Sequence, residues 1–74
     1  MHALRLTILP RDGALIRVLG TVERRGFVPV EMGMKTSECG ECEVSLRVQS
    51  TRSVDLLKRQ LGRLLEVLRV EVVS

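Results

Sequence analysis

Residues 11–34 constrain the fold of this chain more than any other segment, because they combine a turn, a helix pattern and a strand pattern in immediate succession. Apolar side chains recur at the i, i+3, i+4 and i+7 positions of one helical stripe, at Leu15, Val18, Leu19 and Val22. Asp12 is expected to accept backbone N–H bonds as the N-cap, and Gly26, which follows two arginines, to end the helix. The pattern predicts an amphipathic helix over roughly residues 13–25.

The strand that follows this helix contains a proline. In residues 28–34, valine and methionine alternate with Pro29, Glu31 and Gly33, a period of two that favours a strand. Proline has no N–H to donate to a neighbouring strand. We therefore expect Pro29 at a sheet edge or a bulge, at a point where another chain can approach. Met32 and Met34 are expected to pack in the core rather than to bind metal.

The rest of the chain repeats these two patterns. Strand-like alternation in residues 4–8, 44–48 and 68–72 gives the expected inward positions Leu4, Leu6, Ile8, Val44, Leu46, Val48, Leu68, Val70 and Val72. The polar residues 36–41 predict a hairpin turn between two of the strands. Ser53 is the expected N-cap of a second helix, with an apolar stripe at Val54, Leu57, Leu61, Leu64 and Leu65.

The element order is thus strand, helix, strand, strand, helix, strand. This is the ferredoxin-like βαββαβ arrangement, an α+β fold in which a four-stranded antiparallel sheet carries two helices on one face. We expect residues 1–74 to form a single domain of this kind. The polar face of the sheet would meet water, and the open edge strands would invite pairing with a second copy.

Length and charge narrow the possible partners. A chain of 74 residues has a thin core, since it buries only about 60% of its unfolded surface, so association is expected. Its 12 cationic and 9 anionic residues are interleaved, which indicates a solvated surface rather than a nucleic-acid footprint. Phe27 is the one aromatic residue, too few for stacking on bases. No apolar run is long enough for a membrane span, and no export signal is evident, so we expect a cytoplasmic protein.

The dipeptide Asp12-Gly13 is the first candidate binding site. It lies where a strand ends and a helix starts, and the free N–H groups of a helix N-terminus can hold an anion such as an amino-acid carboxylate. A small-ligand site or a subunit contact at this turn is one interpretation. The other is that Asp12 only caps the helix and Gly13 only makes the turn.

The C-x-x-C sequence at Cys39 and Cys42 leaves three interpretations open. These are two ordinary thiols at a hairpin, a disulfide, and a metal site. A four-ligand zinc site would need two more ligands, and His2 is the single histidine. A ferredoxin-like metal chaperone would carry its C-x-x-C in the first strand-to-helix turn, where this chain has residues 11–13. The position of the two cysteines therefore argues against a metal chaperone.

No nucleophile, base and orienting residue form a catalytic set, so we expect a protein that is not itself an enzyme.

Several segments resemble the ACT domain of acetolactate synthase small regulatory subunits, in the short form made of a single ACT domain. They are R-V-L at 17–19, R-G-F at 25–27, M-G-M at 32–34, R-S-V-D-L-L at 52–57, Q-L at 60–61 and L-E-V at 65–67. The likeness covers residues 9–72. The R-G-F segment is shared by many ACT domains, whereas the R-S-V-D-L-L run narrows the likeness to this subunit group.

The resemblance implies a non-catalytic regulatory subunit that binds and activates a large catalytic subunit in branched-chain amino-acid synthesis. Thiamine diphosphate, magnesium and FAD are expected on that catalytic partner, and no cofactor in this chain. ACT domains pair side by side into an eight-stranded sheet and bind amino acids near the first turn. The resemblance thus implies a homodimer, with ligand binding at Asp12, Gly13, Ala14 and Leu15 and an interface at Val28, Pro29 and Val30. Arg24 and Arg25 are candidate contacts with the catalytic subunit.

Two positions depart from the valine-responsive members of the family. Those members usually carry asparagine three residues before the turn glycine and directly after the R-G-aromatic segment, where this chain has Pro10 and Val28. Neither replacement can offer a side-chain amide to a ligand, so we expect weak or absent valine feedback. The competing hypothesis is a stand-alone ACT dimer that senses an amino acid or another small ligand.

Overall fold

The fold is a four-stranded antiparallel sheet with two helices, described for residues 1–73 by a computed structural model. The elements are β1 (His2–Ile8), α1 (Ala14–Arg24), β2 (Val28–Thr36), β3 (Cys42–Gln49), α2 (Val54–Gly62) and β4 (Val67–Val72). The strand order is β2-β3-β1-β4, and each neighbouring pair is antiparallel. The ferredoxin-like fold predicted from the sequence is confirmed.

The core lies between the sheet and the helices. Alternate residues of the two central strands are buried, as the sequence pattern predicts, and they pack against the helix residues Val18, Val22, Leu57 and Leu61 and against Phe27. The intervening residues of β3 are exposed. One face of the sheet is therefore apolar and covered by helices, and the other is polar.

The structure contradicts the prediction for the N-terminal end of α1 and agrees with the prediction for its C-terminal end. Its N-cap is Gly13, with a φ of 78°, and among residues 1–73 no side chain caps the helix, so the prediction of Asp12 as N-cap is wrong. The reason is a turn closed by the Ala14 N–H, which donates to the Arg11 carbonyl at 3.0 Å and places Asp12 inside the turn. The other end follows the prediction, because Gly26 adopts a φ of 86°. There the N–H groups of Gly26 and Phe27 donate to Glu23 and Val22, closing a Schellman motif.

The edge strand β2 carries a bulge at its proline. Pro29 pairs with Val48 and Glu31 with Arg47, so Val30 has no partner on β3. Both expectations for Pro29, a sheet edge and a bulge, are confirmed. The bulge turns the methionines onto the helix side, opposite Leu46 and Val44. The prediction that Met32 and Met34 are core residues is nevertheless wrong, since they are 40% and 52% exposed.

The junction between α2 and β4 also departs from the predicted pattern. The helix ends at Gly62, so Leu64 and Leu65 lie outside it, and Leu65 is 87% exposed. A register shift in β4 pairs Thr7 with Arg69 and Ile8 with Val67. This shift buries Val67 and leaves Leu68 out of the core. Residues 64–68 contain four apolar residues of similar size, so the pattern alone could not decide which of them point inward.

Candidate functional site

The first turn lies at the end of the molecule where β1 ends. Asp12 and Gly13 are exposed, Leu15 is half-buried, and Ala14 is buried against the core. The left-handed conformation of Gly13 brings the chain from the strand into the helix. The four predicted ligand residues therefore form one corner of the molecule, which is exposed at Asp12 and Gly13 and in which the Ala14 N–H is already bonded to the Arg11 carbonyl.

An arginine of α1 holds this turn in place. The Arg17 guanidinium donates to the Asp12 carbonyl oxygen at 3.1 Å and forms an ion pair with the Glu66 carboxylate. The Glu66 carbonyl accepts a hydrogen bond from the Leu9 N–H at 2.8 Å. Arg17 and Glu66 therefore connect the first turn to the segment that leads into β4.

The Glu66 carboxylate is a buried charge in an otherwise apolar segment. The Arg17 hydrogen bond, aided by a bond from the backbone of Glu66 and by the charges of Arg17 and Arg11, holds the pKa of Glu66 below its usual range although burial opposes this. Sequence reasoning missed this pair. The available signal was a single acid within the run L-L-E-V-L, since a charge in an apolar run needs a partner.

A shallow groove runs between α1 and the edge strand β2. It has a volume of about 220 Å³ and is lined by Leu19, Pro29, Val30, Glu31 and Met32. Two of the three predicted interface residues, Pro29 and Val30, therefore line it. The third, Val28, pairs with Gln49 and lies on the polar side of the sheet.

A single chain does not bring the predicted ligand residues and the predicted interface together. They lie at opposite ends of α1, whose 11 residues extend over roughly 16 Å. The end of β2 beside the first turn is instead Thr36, which lies in one row of the sheet with Cys42, Ile8 and Val67. A site made from both sets of residues would need a second copy of the chain.

The predicted partner contacts, Arg24 and Arg25, lie at the C-terminal end of α1. Arg24 donates from Nη2 to Thr21 Oγ1 at 3.3 Å, within the same helix. Arg25 donates from Nη2 to Gln60 Oε1 at 2.8 Å and so joins the two helices. Both side chains are exposed, but each is already engaged in a hydrogen bond.

The two cysteines occupy different environments at the β2–β3 hairpin. Cys42 is buried, with its Sγ 3.8 Å from Thr36 Oγ1, whereas Cys39 is exposed, with its Sγ 3.1 Å from Ser37 Oγ. Both are free thiols. Within residues 1–73, no three histidine, cysteine or carboxylate side chains lie close enough together to hold a metal ion.

None of the helices in that part of the chain is long and apolar enough to cross a membrane.

Comparison with known proteins identifies the family. Residues 10–70 match the ACT domain family. The chain is 42% identical over 72 residues to the acetolactate synthase isozyme 2 small subunit of Escherichia coli K12, an alignment that covers 96% of this chain and 83% of the relative. This chain belongs to the acetolactate synthase small-subunit family. The small subunit of Shigella flexneri matches this ACT domain with the same identity and coverage.

Solved structures support the same fold. The acetolactate synthase small subunit of Thermotoga maritima superposes on this ACT domain with a TM-score of 0.84 at 22% identity, over 96% of this chain. This ACT domain spans only 45% of the length of the Thermotoga chain. The ACT domain of a GTP pyrophosphokinase from Chlorobium tepidum gives a TM-score of 0.81 at 14% identity, over 97% of this chain and 95% of that one. At these identities, the two structures bear on the fold alone.

Proposed function

We propose that this chain is the non-catalytic regulatory subunit of an acetolactate synthase and that it activates the large catalytic subunit by binding to it. The observation that carries this proposal is the 42% identity to an acetolactate synthase small subunit across 96% of the chain. The catalytic subunit would hold thiamine diphosphate, magnesium and FAD, and the complex would serve branched-chain amino-acid synthesis in the cytoplasm. The small subunit would act by stabilising the active conformation of its partner.

The subunit would work as a homodimer paired along β2. This strand is an open edge with apolar side chains exposed at Val30, Met32 and Met34, and such an edge favours pairing with another strand. β2 runs antiparallel to α1, since β1 and β2 each pair antiparallel with β3. In a two-fold dimer, antiparallel pairing would therefore bring residues 28–30 of one copy beside the first turn of the other.

Such a dimer would respond weakly to valine, or not at all. Pro10 and Val28 flank the corner where the first turn and the second copy would meet, and neither side chain can donate or accept a hydrogen bond. The nearest cation in α1 is also occupied, because Arg17 binds Glu66 and the Asp12 carbonyl. A ligand carboxylate at residues 12–15 would have to rely on helix N–H groups, with the Asp12 side chain beside it.

The test is acetolactate production by the purified catalytic subunit from the same source, with and without this chain, in the presence and absence of valine. We expect a several-fold rise in turnover when this chain is added, and the same rise in saturating valine. Micromolar valine binding in isothermal titration would contradict the valine part of the proposal. If the chain neither activates nor binds the catalytic subunit, the proposal is wrong, and the stand-alone ACT dimer becomes the better hypothesis.

A further inference from the structure

The second free edge of the sheet carries an exposed apolar surface of its own. Among the strands of residues 1–73, β4 pairs with β1 alone, so its other side is an open edge of the sheet. Leu65, in the turn before β4, is 87% exposed, and Leu68 at the start of the strand is 49% exposed. We call the region formed by Lys58, Gly62, Leu65, Leu68 and Arg69 the α2–β4 surface.

Two irregularities of the backbone create this surface. The early end of α2 at Gly62 releases Leu65 from the helical stripe, and the register shift in β4 directs Val67, not Leu68, into the core. Bulges of this kind re-aim side chains, often next to functional sites. An exposed leucine pair at an open sheet edge is a hazard for aggregation unless another protein covers it.

A groove separates the end of α2 from β4. It has a volume of about 190 Å³ and is lined by Lys58, Gly62, Val67, Leu68, Arg69 and Val70. Gly62 leaves it open on the helix side, since a Cβ added there would come within 4 Å of no atom of residues 1–73 beyond its chain neighbours and its own helix backbone. The groove therefore has room for an apolar side chain from a partner.

The charges around the groove are mostly positive. Lys58, Arg59 and Arg63 are exposed on or just after α2, and Arg69 is exposed on β4. The acids of these two elements and of the turn between them are Asp55, Glu66 and Glu71. Glu66 is directed inward to Arg17, and Glu71 lies 3.9 Å from Arg69 on the surface. A partner with acidic side chains around an apolar contact would complement this rim.

The α2–β4 surface is fixed to the proposed ligand corner. Glu66 directly follows Leu65, and its ion pair with Arg17 and its backbone bond with Leu9 hold this segment against the first turn. An interface residue on an anchored segment loses less conformational freedom on binding than one on a mobile loop. The surface also remains open in a dimer paired through β2, because β2 and β4 are opposite edges of the sheet.

We infer that the α2–β4 surface is the docking site for the large catalytic subunit, which would present a pocket for Leu65 and an acidic rim facing Lys58, Arg63 and Arg69. This inference rests on the proposed function. It assigns the partner contact to the α2–β4 edge, in place of Arg24 and Arg25 on α1.

The test compares three purified chains, the wild type, Leu65→Ser and Ile16→Ser, for binding to the purified catalytic subunit by isothermal titration. Ile16 is the matched control, because it is a large apolar residue, 75% exposed, on the outside of α1. We expect Leu65→Ser to raise the Kd by at least about tenfold, as for truncation of an interface anchor. Ile16→Ser should keep the wild-type Kd. Sedimentation and thermal melting of each chain establish that it is folded and of wild-type oligomeric state.

The outcomes separate the inference from the function on which it rests. If the wild type binds and Leu65→Ser binds equally well, the docking site lies elsewhere while the proposed function stands. If Ile16→Ser weakens binding as much as Leu65→Ser does, the effect is not specific to the α2–β4 surface, and the inference is wrong. Absence of wild-type binding would refute the proposed function and this inference together.

An Arg63→Glu variant should associate with the catalytic subunit more slowly at low salt, because it removes a positive charge from the rim. Its association rate should also depend less on ionic strength than that of the wild type.

Discussion

Gly26 occupies a position that no other residue can adopt without strain. Its φ of 86° lies in the left-handed region, and a Cβ added there would stand 2.5 Å from Arg52 Nε. The residue ends α1 and turns the chain so that Phe27 enters the core. Backbone conformation and close packing therefore both require a glycine here.

Gly26→Ala should lower the free energy of unfolding by about 1–2 kcal/mol, the cost of a left-handed alanine. Gly20→Ala, within the same helix, should raise it by about 0.5–1 kcal/mol, because helical alanine is favoured over glycine. At Gly20 an added Cβ would make only an ordinary contact with Arg24, at 3.7 Å. Urea unfolding of both variants measures the difference. Equal effects of the two substitutions would contradict this account.

The sequence pattern predicted correctly that Gly26 ends α1. At the other end of the helix it predicted Asp12 as the N-cap, whereas the N-cap is Gly13. A glycine that follows two cations at the end of an apolar helical stripe is typical of a helix C-terminus. Asp12-Gly13 was ambiguous, because aspartate is favoured both as an N-cap and within turns. Which role it takes depends on the Arg11 carbonyl and the Arg17 guanidinium, whose positions are set by the tertiary fold.

Among the secondary-structure elements, α1 and the segment before β4 are joined by an ion pair in which Glu66 is buried and Arg17 is half-exposed. Because Arg17 lowers the pKa of Glu66, the unfolded chain binds this proton more readily than the folded one as the pH falls. The pair therefore contributes its full stability only above the unfolded-state pKa. That contribution is lost progressively as the pH passes down through the lowered folded-state pKa.

The free energy of unfolding should accordingly begin to fall near pH 4.3, roughly the ordinary pKa of glutamic acid, and decrease further at lower pH. Glu66→Gln should remove this part of the pH dependence, so that the two stability curves converge in acid. Arg17→Gln should remove it as well, since Arg17 is the main cause of the lowered pKa. Urea unfolding between pH 3 and 7 provides the measurement. A Glu66→Gln curve parallel to the wild type would exclude the pair as its source.

All six elements were predictable from periodicity, whereas periodicity alone indicated neither of the two bulges. Alternating and helical patterns report which side of an element is apolar. A bulge inserts one residue without changing composition, yet it reverses the faces of the residues beyond it. Pro29 gave a warning of the bulge in β2. Nothing comparable marked β4, and for that reason Leu68 was placed in the core in error.

At the level of assembly, the two edges of the sheet should have separate uses. Met32 lines the groove between α1 and β2, so Met32→Glu would put a charge into the proposed dimer interface. We expect this substitution to raise the dimer dissociation constant by about tenfold or more, because a charge without a partner is costly to bury. Sedimentation velocity over a range of concentrations measures the constant.

Leu68→Glu is the matched control for this prediction. Leu68 is similarly exposed but lies on the opposite edge strand, so the variant should dimerise like the wild type. The reverse result, with Leu68→Glu monomeric and Met32→Glu dimeric, would place the dimer interface on β4.

The predicted interface residues could be named from the family resemblance. The place of Met32 in the groove and the ion pair of Arg17 with Glu66 became evident only from the fold, which brings distant segments together.

The position of β4 at the far edge has a geometric consequence for the assembly. In the proposed dimer, the two β4 strands would form the ends of an eight-stranded sheet, separated by seven strand spacings, roughly 34 Å. Two-fold symmetry would direct these ends away from each other. A dimer of this shape could hold one catalytic subunit at each end, at a separation fixed by the width of the sheet.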